Sequence, residues 1–211
     1  QVITPGTLID VGLEETKNNY LVALDHHGAF VVLSYCDLST GELGVINLET
    51  DADVITNEVA TLDAKEIVVT AKDTLFFQQH ITLPGLTFSL QEEGPDDLTH
   101  QELVAPLKDI RQIRSLVRLL SYLAKTQKRS LDYLQPAKVV QTTHYLQMDL
   151  FTRNNLELIR TLRSEDRFGS LLWVLDKTKT AMGGRLLKEY LARPLADQVA
   201  IEQRQQVVAA F

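Results

Sequence analysis

The sequence predicts a mixed α/β sheet with flanking helices, followed by a mostly α-helical segment. Three observations carry this expectation. Between residues 20 and 48, three apolar runs rich in Val, Leu, Ile and aromatic residues are separated by short Gly-containing turns. From residue 51 to residue 90, helical and extended apolar periods alternate. From residue 99 onward, helical spacing with recognisable caps prevails.

Each element follows in order. Residues 20–25, 29–36 and 42–48 read as strands, with His26-His27-Gly28 and Ser39-Thr40-Gly41 as the turns of an antiparallel meander. Val54, Ile55, Val59 and Leu62 share one helical face behind Asp51 and Asp53. Ile67-Val68-Val69 is a continuous apolar run, as in a strand covered on both faces. A short helix over 73–79 and a strand over 86–90 complete β-β-β-α-β-α-β, the ribonuclease H-like order, which periodicity alone does not separate from other α/β folds.

Residues 92–97 form an acidic loop, and Thr99-His100-Gln101-Glu102 has the pattern of a capping box. Behind it Leu103, Leu107, Ile110, Val117 and Leu120, widened by Leu116, Leu119 and Leu123, predict one long helix to about residue 126. Residues 128–136 read as a domain boundary closed by Pro136. Then Asp149 is expected to cap a helix carrying Leu156, Ile159 and Leu162. A short apolar helix spans 169–175, Thr180 caps a helix to Leu191, and Asp197 caps another with Ile201, Arg204, Val208 and Phe211 on one face. The expected domains are residues 1–127 and 128–211.

The 211 residues are 45% hydrophobic and 23% charged, which fits one large or two small globular domains. No apolar run is long enough for a transmembrane helix, and no signal peptide is visible. A single cysteine, Cys36, excludes an intrachain disulfide framework and a multi-cysteine zinc site, and suits the cytoplasm. The net charge of −7 hides a split. Residues 1–127 carry 8 basic and 19 acidic residues, a balance of −11, whereas residues 128–211 carry 13 and 9, a balance of +4. The acidic part is poorly suited to gripping a phosphate backbone. The chain starts at Gln1 and stops at Phe211 within a helical pattern, so it is expected to be a piece of something longer, with Val207, Val208 and Phe211 left exposed.

Few residues offer chemistry. Asp25 and Asp37 sit at ends of expected strands, with Asp73 able to approach them, where a metal-dependent nuclease of this fold would gather carboxylates, but Asp also fills turns readily. His26 and His27 are adjacent and would face opposite ways in a strand, so they read as a turn pair rather than a metal site. Cys36 lies in an apolar strand and is expected to be inert. Trp173 reads as core. Arg153, Arg160, Arg163 and Arg167 have the spacing of one helical side and its following loop, a solvated face more readily than a DNA site. No phosphate-cradling loop, dinucleotide fingerprint or nucleophile elbow occurs. A DNA-binding helical module in residues 128–211 is a further alternative.

Several motifs resemble the MutS family of DNA mismatch repair proteins. Val2-Ile3-Thr4-Pro5-Gly6-Thr7, Lys17-Asn18-Asn19-Tyr20-Leu21 and Tyr35-Cys36-Asp37-Leu38-Ser39-Thr40-Gly41-Glu42 are similar to that family's connector domain. Met148-Asp149, Thr152-Arg153-Asn154-Asn155-Leu156-Glu157, Gly169-Ser170-Leu171-Leu172-Trp173-Val174-Leu175-Asp176, Thr180-Ala181-Met182-Gly183-Gly184-Arg185-Leu186-Leu187 and Arg193-Pro194-Leu195 resemble the start of its core, or lever, domain. The motifs run in order through essentially the whole chain, in a form that looks bacterial. The resemblance implies a ribonuclease H-like connector without nuclease activity. That connector would link mismatch-binding and ATPase parts, transmit ATP-driven change, and offer a surface to MutL. It implies no catalytic, cofactor-binding or metal-binding residue in this chain. ATP and Mg, mismatched duplex DNA and the homodimer would belong to the full-length protein, with no membrane involved.

Overall fold

A computed structural model describes residues 18–92, 101–127 and 131–211. The motif at residues 2–7, the acidic stretch 93–97 and the first half of the Thr99 capping box lie outside the described residues. The chain divides into two compact units that meet between Val140 and Gln141.

In the first unit, strands β1 (Tyr20–His26), β2 (Phe30–Asp37) and β3 (Glu42–Glu49) form the expected antiparallel meander. Helix α1 (Ala52–Thr61) starts where the Asp51 carboxylate accepts the backbone N–H groups of Asp53 and Val54. Strand β4 (Glu66–Val69) then pairs parallel with β1, and Thr70 caps helix α2 (Ala71–His80). Strand β5 (Thr87–Leu90) pairs parallel with β4. A two-residue strand β6 (Lys138–Val139) adds to β3, and the sheet order is β5-β4-β1-β2-β3-β6.

Side chains alternate across the sheet and feed two cores. Leu21, Ala23, Val32, Cys36 and Val45 face one side, against Leu116, Leu119, Leu120 and Leu123. Val22, Leu24, Leu33 and Ile46 face the other, against Ile55, Val59 and Phe77. The four leucines are fully buried, and each contributes about 1.5–3 kcal/mol of burial free energy.

The expected single helix up to residue 126 is two helices, α3 (Gln101–Val104) and α4 (Ile110–Thr126). Pro106 lacks the N–H that would continue α3, and Asp109 restarts the helix by accepting from Arg111 N. The restart rotates the buried face. Ile110 is exposed and Val117 only half-buried, while Gln112, Ser115, Arg118 and Tyr122 are covered.

The first unit also reaches Val140, beyond the expected break at 127. Leu134 and Ala137 belong to the α4-side core, and Val140 donates a backbone hydrogen bond to Val45.

The second unit contains α5 (Leu150–Asn155), α6 (Leu171–Leu175), α7 (Ala181–Ala192) and α8 (Gln198–Ala209). Their N-caps are Asp149, Ser170, Thr180 and Asp197, each side chain accepting a backbone N–H. Tyr145 forms an antiparallel bridge with Leu195. Helix α5 stops before the expected stripe of Leu156, Ile159 and Leu162, because Glu157 adopts φ 48° and its carboxylate accepts Leu162 N. Trp173 is 45% exposed and rests against Phe168, so it is not core within this unit. Val207, Val208 and Phe211 are exposed. No described helix is long and apolar enough to cross a membrane.

Candidate functional site

The three acidic candidates do not converge. Asp37 ends β2 opposite Tyr20, whereas Asp25 lies near the other end of β1, opposite Val32. Five residues of strand separate those positions, about 17 Å. Asp73 starts α2 and receives Thr70 Oγ1 and His26 N. Phe77 of the same helix lies in the core on the far side of the sheet from α4. Asp25 instead meets Arg118 of α4. Among the described residues, no group of three or more His, Cys, Asp and Glu side chains is placed to hold a metal ion.

Each acid has a local partner set. Asp37, fully buried, accepts Asn18 Nδ2, Asn19 N, Ser39 N, Ser39 Oγ and Thr40 Oγ1. It therefore ties the entry of β1 to the β2–β3 turn, as a turn acid does. Asp25 and Arg118 form a buried ion pair. The His26 ring stacks on Phe76, which stacks on His80, at centroid distances of 4.1 and 4.2 Å. His27 points to a different neighbour, Phe30. Burial lowers the pKa of His27 below its ordinary value, with Asp25 opposing the shift. Burial beside Asp37 pushes the Cys36 thiol far up, so little nucleophilic thiolate forms.

The residues that sequence reasoning missed lie on α4. Gln112 donates to Asn47 on β3, and Ser115 accepts from Ser34 on β2. Arg118 donates to Asp25 on β1, and Tyr122 donates to Glu66 on β4. Lys125 donates to Gln91, just past β5. One helix thus makes one polar contact with each successive strand position in the sheet order β3-β2-β1-β4-β5. The contacts recur every three or four residues, the spacing of one helical face. That spacing was the available signal.

In the second unit, Arg153 is buried, while Arg160, Arg163 and Arg167 are exposed beyond the end of α5. Arg167 pairs with Asp176, whose pKa lies below the ordinary carboxylate value because Thr178 and then Arg167 donate to it. The four arginines therefore do not form one helical face.

Comparison with known proteins decides the family. A model of MutS domain II matches residues 19–135, and a model of MutS domain III matches residues 151–211. The chain belongs to the MutS family. The DNA mismatch repair protein MutS of Listeria monocytogenes serotype 4a is 42% identical over 213 residues, covering 99% of this chain and 25% of that protein. MutS of Bacillus subtilis strain 168 is 40% identical over 210 residues, covering 99% of this chain and 24% of that protein. This MutS-family chain spans about a quarter of the length of the curated relatives it matches. The boundary between matched domains falls after residue 135, close to the end of the first compact unit.

Proposed function

We propose that this chain is the connector and the first part of the lever in a mismatch repair protein. It links a mismatch-binding part to an ATPase part, transmits the ATP-driven change between them, and presents a surface to MutL. The observation that carries this reading is the tandem match to MutS domains II and III. The strand order β5-β4-β1-β2-β3, antiparallel in the meander and parallel at β4 and β5, supports a ribonuclease H-like connector. The separation of Asp37 from Asp25 favours a scaffold over a nuclease.

Physical features suit the role. Helix α4 is fixed to every layer of strand it crosses, so the first unit can move as one body. Its acidic balance of −11 over residues 1–127 suits a protein partner better than a phosphate backbone. The chain itself performs no catalytic step. ATP and Mg, mismatched duplex DNA and the homodimer contacts belong to other parts of the full-length protein, which works in the cytoplasm. The lever begins after residue 127 in sequence, with residues 131–140 lending packing back to the sheet.

Titrating the isotope-labelled chain with its MutL partner tests the recruitment claim. Amide shifts clustered on the first unit are expected, with the α8 amides unmoved. No shift anywhere in residues 18–127 would remove MutL recruitment from the proposal.

A further inference from the structure

The chain leads into β1 through Asn18 and Asn19 and leaves the first unit through residues 131–140. These stretches are remote in sequence, yet both fasten to one turn, Asp37 to Glu42 between β2 and β3. On the entry side, Asn18 Nδ2 donates to Asp37 Oδ2 at 3.0 Å, and Asn19 N donates to Oδ1 at 3.1 Å. Leu38 N donates back to Asn19 O at 2.9 Å. On the exit side, Gln135 N donates to Gly41 O at 2.8 Å. The Tyr133 carbonyl lies so close to Gly41 that a Cβ there would sit 2.4 Å from its oxygen. Lys138 reaches Glu42, at the end of the turn, at 3.8 Å. Leu38 and Leu134 share the α4-side core.

The turn between these two sets has little freedom of its own. The Asp37 carboxylate accepts Ser39 N, Ser39 Oγ and Thr40 Oγ1, and Asp37 O accepts Thr40 N and Gly41 N. Gly41 closes the turn at φ 77°, a conformation that glycine adopts without steric cost. Asp37 is fully buried, so solvent does not readily replace a contact that it loses. Asp37 and Gly41 thus belong to one hydrogen-bonded element, with the entry held at one end and the exit at the other.

We propose that this turn is a clasp that couples the entry of the chain to its exit, so that loosening Asn18 also loosens residues 133–138. An element held from two sides carries coupling when both sets of contacts bias the same arrangement. Both do here. The arrangement of Asp37 that holds Asn19 is also the one that places Gly41 O before Gln135 N. A displacement before β1 therefore reaches the segment leading to Gln141 through one short turn. The clasp supplies a route for the transmitting role proposed above and rests on that role for its use. Its own test needs no ATP, so a failure removes the route and leaves the role standing.

Amide hydrogen exchange of the 211-residue chain measures the coupling in both directions. The reference is the Ile55 amide of α1, which is bonded to Asp51 O away from the turn. In Asn18→Ala the Gln135 amide should exchange about threefold faster or more, with Ile55 unmoved. In Leu134→Ala, which loosens the exit, the Asn19 and Leu38 amides should speed up relative to Ile55, because coupling is reciprocal. Faster exchange at Asn19 in Asn18→Ala with Gln135 unchanged would overturn the clasp. So would an equal rise at Ile55, which marks a loss of overall stability instead. If Leu134→Ala fails to fold, Asn18→Ala decides alone, since Asn18 is half-buried and its truncation leaves the core intact.

Discussion

Arg118 donates from Nη1 to Asp25 Oδ1 where α4 crosses β1, with both side chains buried. The pair fixes the middle of the helix over the central strand of the first unit. It is flanked by Ser34–Ser115 on one side and by Tyr122–Glu66 on the other. An ion pair so placed defines register more surely than it adds stability, because desolvating both charges offsets most of their attraction.

That reasoning gives opposite outcomes for one substitution and two. Arg118→Met leaves the Asp25 carboxylate buried without its partner and should cost about 3–5 kcal/mol in urea unfolding. Asp25→Leu/Arg118→Met removes both charges and should recover most of that loss. A double variant as unstable as the single one would mean that the polar pairing itself holds the helix down.

Asp37 should behave as a structural acid. Asp37→Ala removes the acceptor for the Asn19 and Ser39 backbone N–H groups and for three side-chain donors. The donors are half-buried or exposed, but five hydrogen bonds to one buried carboxylate are lost together, so a loss above about 2 kcal/mol is expected by denaturant titration. Magnesium and manganese should leave the Tm of the unmodified chain unchanged. A metal-dependent rise in Tm that disappears in Asp37→Asn would revive the nuclease reading.

Two turn glycines provide a matched comparison. Gly28 and Gly41 have φ values of 75° and 77°. A Cβ at position 28 would meet open space, whereas one at position 41 would run into the Tyr133 carbonyl oxygen. Gly28→Ala should cost about 1–2 kcal/mol from backbone conformation alone. Gly41→Ala should cost distinctly more, because residues 131–137 pack on the sheet and the backbone at Tyr133 cannot yield freely. Equal losses in thermal unfolding would show that this packing does not bind the first unit together.

Acid should loosen the start of α4. Hydrogen bonds from the Arg111 side chain hold Asp109 below its ordinary 3.8, at about 2. A carboxylate with a depressed folded pKa stabilises above its unfolded value and loses that contribution as pH falls through the folded value. The affected window is thus about pH 4 down to 2. Solvent screening keeps the effect below about 1 kcal/mol at this exposed site. Asp109→Asn retains an N-cap oxygen but not the charge, and should flatten the acid limb of the stability profile within that window. An unchanged limb would show that the Arg111 contact is not populated in solution.

The meander and β4 were legible as apolar runs set between turn residues, and α1 by its helical period behind an acidic cap. Helix α4 was only half legible. Counting apolar positions alone set Ile110 on the buried side, whereas Gln112, Ser115, Arg118 and Tyr122 occupy it through partners on distant strands. Their spacing of three and four shows in the sequence, but the strand partners that make the polar face a buried one are remote, and no local pattern names them. The break between α3 and α4 falls at Pro106 and Asp109, and a count of apolar positions passes over both. Strand β6 is two residues long, too short for any period, and depends on pairing with β3. In the second unit the caps Asp149, Thr180 and Asp197 were readable, but the end of α5 depends on the positive φ of Glu157, which no glycine announces.

Transmission of ATP-driven change through the chain is tested most directly by measuring the distance between its two units in the full-length protein. Cysteines placed at the exposed positions Lys65→Cys and Lys177→Cys can carry a donor and an acceptor dye, since buried Cys36 stays unreactive once other exposed thiols are removed. The expected result is a change in transfer efficiency when ATP is added to the protein bound at a mismatch, with no change on perfectly paired DNA. An efficiency that ATP leaves unaltered at the mismatch, with repair activity intact, would contradict a transmitting role for this chain.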